Sequence, residues 1–291
     1  MKPAAFDYVA PKSLDAAVAA LAAANGDGKV LAGGQSLMPL LNFRMTRPAV
    51  VVDLMHIPGM SFIELRGDTV AIGAMTRHAD LEFSKLIAAK LPVMTAAMRH
   101  VAHLAIRNKG TIGGSLSHAD PAAELPMLAV FYGVTIKVQG PDGRRDIPAE
   151  DFFVSALTNC LDPEEIVFEI DVPVLTSHAG WAFEEVARRF GDFALASIAV
   201  SFEVIDRRIA DARVAVMGVA DTPRRLRDAE MALQGVQSGA EAAAGFAEVV
   251  RSCVSPESDI HVSAEYRKNL IGVLAEKAFT TAWMRAAGHA P

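Results

Sequence analysis

The chain has 291 residues, 52% of them hydrophobic and 21% charged, which suits a globular protein of about two domains and excludes a disordered chain. A formal charge of −6 argues against a nucleic-acid surface, which needs a basic patch, and points to a soluble cytoplasmic protein. The only cysteines, Cys160 and Cys253, lack CxxC partners, so they cannot hold an iron–sulfur cluster, which takes about four thiolates, or form a zinc ribbon; both are expected to be plain buried residues.

The start of the chain has no apolar signal region, and Ala16–Ala24 falls far short of the ~20 residues that span a bilayer. Residues 13–25 read as a helix capped by Ser13, with Asp15 at its positive end and Gly26 and Gly28 beyond it. Lys29–Ala32 and Val50–Leu54 read as short buried strands, and Leu37–Leu41 between them as one or two helical turns. Residues 62–65 and 69–72 flank Arg66-Gly67-Asp68, which reads as a hairpin turn. Helices are expected over 77–89, 91–102 and 121–131, the last with Pro121 in its first turn. A second hairpin joins 134–138 to 144–147 across Gly140-Pro141-Asp142-Gly143, and 165–172 reads as a strand.

Residues 176–180 read as a linker. Beyond it come three antiparallel strands (181–189, 197–206, 213–219) and three helices (225–234, 239–253, 263–287). The fold class is α+β, with a boundary near 176: residues 1–176 in two subdomains, about 1–55 and 56–176, then 177–291.

Two glycine pairs carry the chemical signal. Ala32-Gly33-Gly34-Gln35-Ser36 follows a strand, and Thr111-Ile112-Gly113-Gly114-Ser115 is read as a second loop. Such turns can aim backbone N–H groups at one point and let a phosphate approach, with Ser36, Thr111 and Ser115 adding hydroxyls. A side chain at Gly33 or Gly113 is expected to fill the phosphates' space while leaving the fold intact. Neither segment has the lysine of a P-loop, and Gly26-Asp27-Gly28-Lys29-Val30-Leu31 ends wrongly for a dinucleotide fingerprint. No acid/base pair, nucleophile triad or metal-ligand set is readable. His118-Ala119-Asp120 reads as a loop, Met38, Met45, Met94, Met98 and Met127 as core, Glu164-Glu165 as an exposed start, and Arg188-Arg189 and Arg224-Arg225 as solvated pairs.

Together, Leu31 to Arg44 and Lys109 to Pro126 resemble the two FAD-binding motifs of the medium subunit of molybdenum hydroxylases, the relatives of xanthine dehydrogenase and carbon monoxide dehydrogenase. Phe6-Asp7-Tyr8 with Pro11, and Arg188 to Ala194, are similar to that family as well. The resemblance implies a two-subdomain FAD-binding region of p-cresol methylhydroxylase type and a C-terminal domain with a three-stranded antiparallel sheet and helices. It implies that Ala32, Gly33, Gly34, Gln35, Ser36, Thr111, Ile112, Gly113, Gly114 and Ser115 wrap the FAD pyrophosphate and that His118 lies near the phosphates or ribityl chain. Glu124 stands where relatives carry a cofactor-contacting Asp, the backbone of Leu161 would meet the flavin, and Phe193 would lie near the ring. Glu184 stands near where relatives have a flavin-side Lys, so that contact is not expected.

The resemblance also implies partners: a large molybdenum–pterin subunit and a small subunit with two-iron two-sulfur clusters, in a dimer of heterotrimers. The loop sequences look more like those of N-heterocycle-degrading members. A free-standing FAD oxidase or dehydrogenase and a non-enzymatic nucleotide-binding protein remain alternative readings.

Overall fold

The computed structural model describes residues 2–176 and 178–287; Ser177 of the expected linker lies outside the described residues. The chain forms two compact units, and each is built from separated stretches of sequence.

The first unit comprises residues 1–86, 103–119 and 134–173. Its helix Leu14–Ala23 begins where the Ser13 hydroxyl accepts the Ala16 N–H at 3.2 Å, and it buries Ala17, Val18 and Leu21. This helix contacts a three-stranded parallel sheet in which Val50–Asp53 lies between Asp7–Val9 and Gly28–Leu31. The first strand went unread in the sequence because three exposed residues show no periodicity. A five-stranded antiparallel sheet follows, in the order Ile63–Arg66, Thr69–Gly73, Ile166–Pro173, Thr135–Gly140, Gly143–Pro148. Ile170 stands opposite Ile72 on one side and Ile136 on the other. Lys137 pairs with Glu169 at 2.8 Å and Asp171 at 2.7 Å, and Arg66 reaches Glu169 at 3.1 Å. Burial alone would push the Glu169 carboxyl up, but the hydrogen bonds from Lys137 and Arg66 hold it below the usual range.

The second unit comprises 87–102, 120–133 and 174–291. Its antiparallel sheet has four strands: Gly180–Ala187, Ala194–Ile205, Arg208–Met217 and the two-residue Arg224–Arg225, which pairs with Val216 and Ala215 and is too short to read from sequence. On one face Ala182, Ile198, Val200, Phe202, Val214 and Val216 join the core formed with helices Arg227–Leu233, Ala240–Ser252 and Ala264–Ala286. On the other, His100 packs on Phe183 at 5.2 Å between ring centres, and Arg213 Nη1 donates to the Tyr132 carbonyl at 2.9 Å. Helices Pro92–Met98 and Glu124–Tyr132 thus cover that face, and the Tyr132 hydroxyl accepts from the Met94 N–H at 3.3 Å.

Several expectations change. The helix read over 77–89 breaks at Ser84, whose ψ of 121° is extended, into His78–Phe83 and Lys85–Lys90. The helix read from 121 begins at Glu124, because Pro121 spends its carbonyl on the Gly218 N–H and Asp120 Oδ1 takes the Ala122 N–H. Met94, Met98 and Met127 are core, but Met45 is 74% exposed. Both cysteines are half-buried. Glu165 is not an exposed start: its side chain is mostly buried against Arg145 at 2.6 Å. Arg225 is held by Glu230 at 2.6 Å rather than solvated.

Candidate functional site

Both glycine pairs lie in the first unit, and the structure brings them together. Strand Gly28–Leu31 ends beside Asp53, whose carboxylate accepts from the Tyr8 hydroxyl at 2.6 Å and the Met55 N–H at 2.8 Å. The chain then turns at Gly34, whose φ of +72° is in the left-handed region. Gln35 Nε2 donates back to the Gly33 carbonyl at 3.0 Å and closes the turn. Among the described residues, the backbone N–H groups of Gly33, Gly34, Gln35, Ser36 and Leu37 donate to no partner, and all five residues are half-buried. Consecutive unpaired amides on a turn are an anion-binding arrangement.

The second segment is not a loop. Thr111 caps a helix, Ile112–His118, and its hydroxyl accepts the Gly114 N–H at 3.1 Å. The Ile112 N–H goes to the Thr76 carbonyl at 3.1 Å and the Gly113 N–H to the Ala74 carbonyl at 2.9 Å. Thr111, Ile112 and Gly113 are buried, whereas Ser115 and His118 are half-buried.

The glycines also do a different job from the one expected. A Cβ on Gly33 would lie 2.2 Å from the Lys109 carbonyl oxygen and 2.8 Å from Gly110 Cα. One on Gly113 would lie 2.6 Å from Ala74 Cβ. The missing side chains allow backbone to close on backbone, and that closure sets the first motif against the segment leading into the second.

Sequence reasoning missed His78. Its N–H donates to the Gly110 carbonyl at 3.0 Å and its Nε2 lies 3.0 Å from the Thr111 carbonyl. A lone histidine thirty-odd positions upstream carries no signal of this kind. Asn159 was missed too: Nδ2 donates to the Ser117 carbonyl at 2.6 Å, and Oδ1 accepts the Leu161 N–H at 2.9 Å, which leaves Leu161 its carbonyl. The other two expected residues belong to the second unit. Glu124 is buried in the first turn of its helix, and Phe193 is 63% exposed just before strand Ala194–Ile205.

The profile described as the FAD binding domain in molybdopterin dehydrogenase matches residues 4–175, and that of the CO dehydrogenase flavoprotein C-terminal domain matches 181–282. The chain belongs to the FAD-binding subunits of the molybdopterin dehydrogenases.

This FAD subunit is 40% identical to the 6-hydroxypseudooxynicotine dehydrogenase complex subunit alpha of Paenarthrobacter nicotinovorans, over 98% of its own length and 97% of that protein. It is also 40% identical to caffeine dehydrogenase subunit beta of Pseudomonas sp. (strain CBB1), over 97% and 96%. Its fold matches a chain of carbon monoxide dehydrogenase from Hydrogenophaga pseudoflava with a TM-score of 0.95 and 36% identity, over 98% and 99% of the two chains. The α+β fold class and the flavoprotein assignment are thereby established. The five unpaired amides beside Gly34 fit a diphosphate.

Proposed function

We propose that this FAD subunit works between a small chain carrying two-iron two-sulfur clusters and an external electron acceptor, while a large molybdenum–pterin chain hydroxylates the substrate. The observation that carries the site is the run of unpaired N–H groups from Gly33 to Leu37. These amides, with the hydroxyls of Ser36 and Ser115, would bind the FAD pyrophosphate. Ala32, Gly34 and Gly114 would line its approach, while Gln35, Thr111, Ile112 and Gly113 hold the two segments in shape. His118, Glu124, the Leu161 carbonyl and Phe193 are proposed as further cofactor contacts, on the strength of the resemblance. Bound FAD supplies the junction between one-electron donors and a two-electron acceptor. The protein's own part is to bind and orient the cofactor, and no residue is assigned an acid or base role.

The complex is proposed to be a cytoplasmic dimer of heterotrimers. No helix among the described residues is long and apolar enough to cross a membrane. The names of the two relatives, which act on 6-hydroxypseudooxynicotine and caffeine, support an N-heteroaromatic substrate.

The purified chain is expected to be yellow and to release its FAD into the supernatant on acid precipitation; colour retained in the pellet would contradict noncovalent binding. Hydroxylation of N-heteroaromatic compounds is expected only when this chain is combined with the molybdenum and iron–sulfur chains. Turnover by this chain alone, with molybdenum and iron shown absent by elemental analysis, would overturn the assignment.

A further inference from the structure

His78 stands behind the cofactor cradle and is buried in the first unit. Its backbone N–H and its Nε2 bind successive carbonyls, Gly110 and Thr111, at 3.0 Å each. Those carbonyls flank the peptide that caps the second motif. The preceding Lys109 carbonyl is the atom on which Gly33 closes. His78, through its backbone N–H and its ring together, therefore helps to hold the ledge on which the Gly33–Leu37 turn rests.

The other ring nitrogen, Nδ1, is buried and has no hydrogen-bond partner among the described residues. It faces Gly110 so closely that a Cβ there would lie 2.8 Å from it. The charged groups around the ring are Arg77, which also donates to the Lys109 carbonyl, and Arg107, which pairs with Glu82 at 2.8 Å. Asp80 is engaged by the Arg77 N–H at 3.3 Å. A proton on Nδ1 would find no acceptor in place and two guanidinium groups nearby. Placing such a charge in a buried site is costly enough to favour a rearranged state.

We propose that His78 is a positioning residue for the FAD cradle, and that uptake of a second proton by its ring opens the cradle and releases the cofactor. The proposal rests on the FAD reading above. Burial is the largest effect on the ring and lowers its pKa from 6.5 to about 4 in the closed state. The sign follows from linkage. Between those values a solvated ring binds the proton and the closed one does not, so acidification favours opening.

Stopped-flow measurement of FAD release from the full chain, followed by flavin fluorescence with an excess of an FAD-binding apoprotein as scavenger, tests this. In the parent protein the release rate is expected to rise about tenfold for each pH unit from about 6.5 down to about 4, ahead of any loss of far-UV circular dichroism. In His78→Gln, which keeps a side-chain donor for Thr111 but has no titrating ring, the rate is expected to be flat across that window whatever its absolute value. A flat parent profile, or an equal slope in His78→Gln, would overturn the proposal. If His78→Gln does not fold, the parent's assigned His78 ring resonances decide: they should stay neutral down to about pH 5, and titration near 6.5 would overturn it. A parent that holds no FAD at neutral pH would instead overturn the FAD reading itself.

Discussion

Gly33→Ala is expected to lose its flavin and destabilise the first unit together. The added Cβ would stand 2.2 Å from the Lys109 carbonyl oxygen and 2.8 Å from both the Lys109 carbonyl carbon and Gly110 Cα. All three are backbone atoms, so no side chain can swing aside. Overpacking a well-filled site costs about 1–3 kcal/mol, and with backbone on both sides the upper end applies. The turn must lift from its ledge, which displaces the five unpaired N–H groups as a set. Gly113→Ala meets Ala74 in the same way, at 2.6 Å from Cβ and 2.8 Å from the carbonyl oxygen. Gly245→Ala is the contrast. It lies within helix Ala240–Ser252 with nothing within 4 Å of the new Cβ, and should stabilise by about 0.5–1 kcal/mol. Flavin-to-protein ratio and denaturant midpoint measure both effects. Full flavin content with an unchanged midpoint in Gly33→Ala would refute the close-packing account.

Arg267→Met is expected to cost the second unit about 1–3 kcal/mol, the range for buried acceptors left without their donor. The side chain is 9% exposed overall. Nη1 donates to the Leu195 carbonyl at 2.6 Å and the Gly218 carbonyl at 2.7 Å, while Nη2 reaches Asp259. It therefore ties the start of one central strand to the residue that follows its neighbour. Methionine fills much of the volume but leaves two carbonyls without their donor. Lysine should recover only part of the loss, because a single ammonium cannot reproduce the planar fork that spans these acceptors. Asp259 is prepared for its role: the N–H groups of Val262 and His261 lead in holding its carboxyl down to about 2. Equilibrium unfolding in urea checks the prediction, and a loss under about 1 kcal/mol in Arg267→Met would defeat it.

Local signals were legible where one residue type has one common use. Ser13 caps the helix that its position announces, and Gly67, at φ +62°, makes the turn expected between its strands. The long strands and helices after Gly180 were legible because each buries a continuous face. The second motif was misread as a loop for a physical reason. Each glycine costs a helix up to about 1 kcal/mol relative to alanine, so Gly113-Gly114 argues locally against one. Close packing on Ala74 and the cap from Thr111 override that cost. Contacts that join distant stretches left no local trace: His78 with Thr111, Asn159 with Ser117, Arg145 with Glu165. The glycine pairs revealed where a phosphate would be held, but not that the glycines' first task is to let two peptides touch.

The chain passes from one compact unit to the other after residues 86, 102, 119, 133 and 173. Synthesis is vectorial, and this threading imposes an order on assembly. The first unit has all its segments once residue 173 has cleared the ribosome. The second unit must keep helices Pro92–Met98 and Glu124–Tyr132 waiting for strands that emerge only after Gly180. Until then the sides of those helices that pack on strands Gly180–Ala187 and Arg208–Met217 have nothing to pack on.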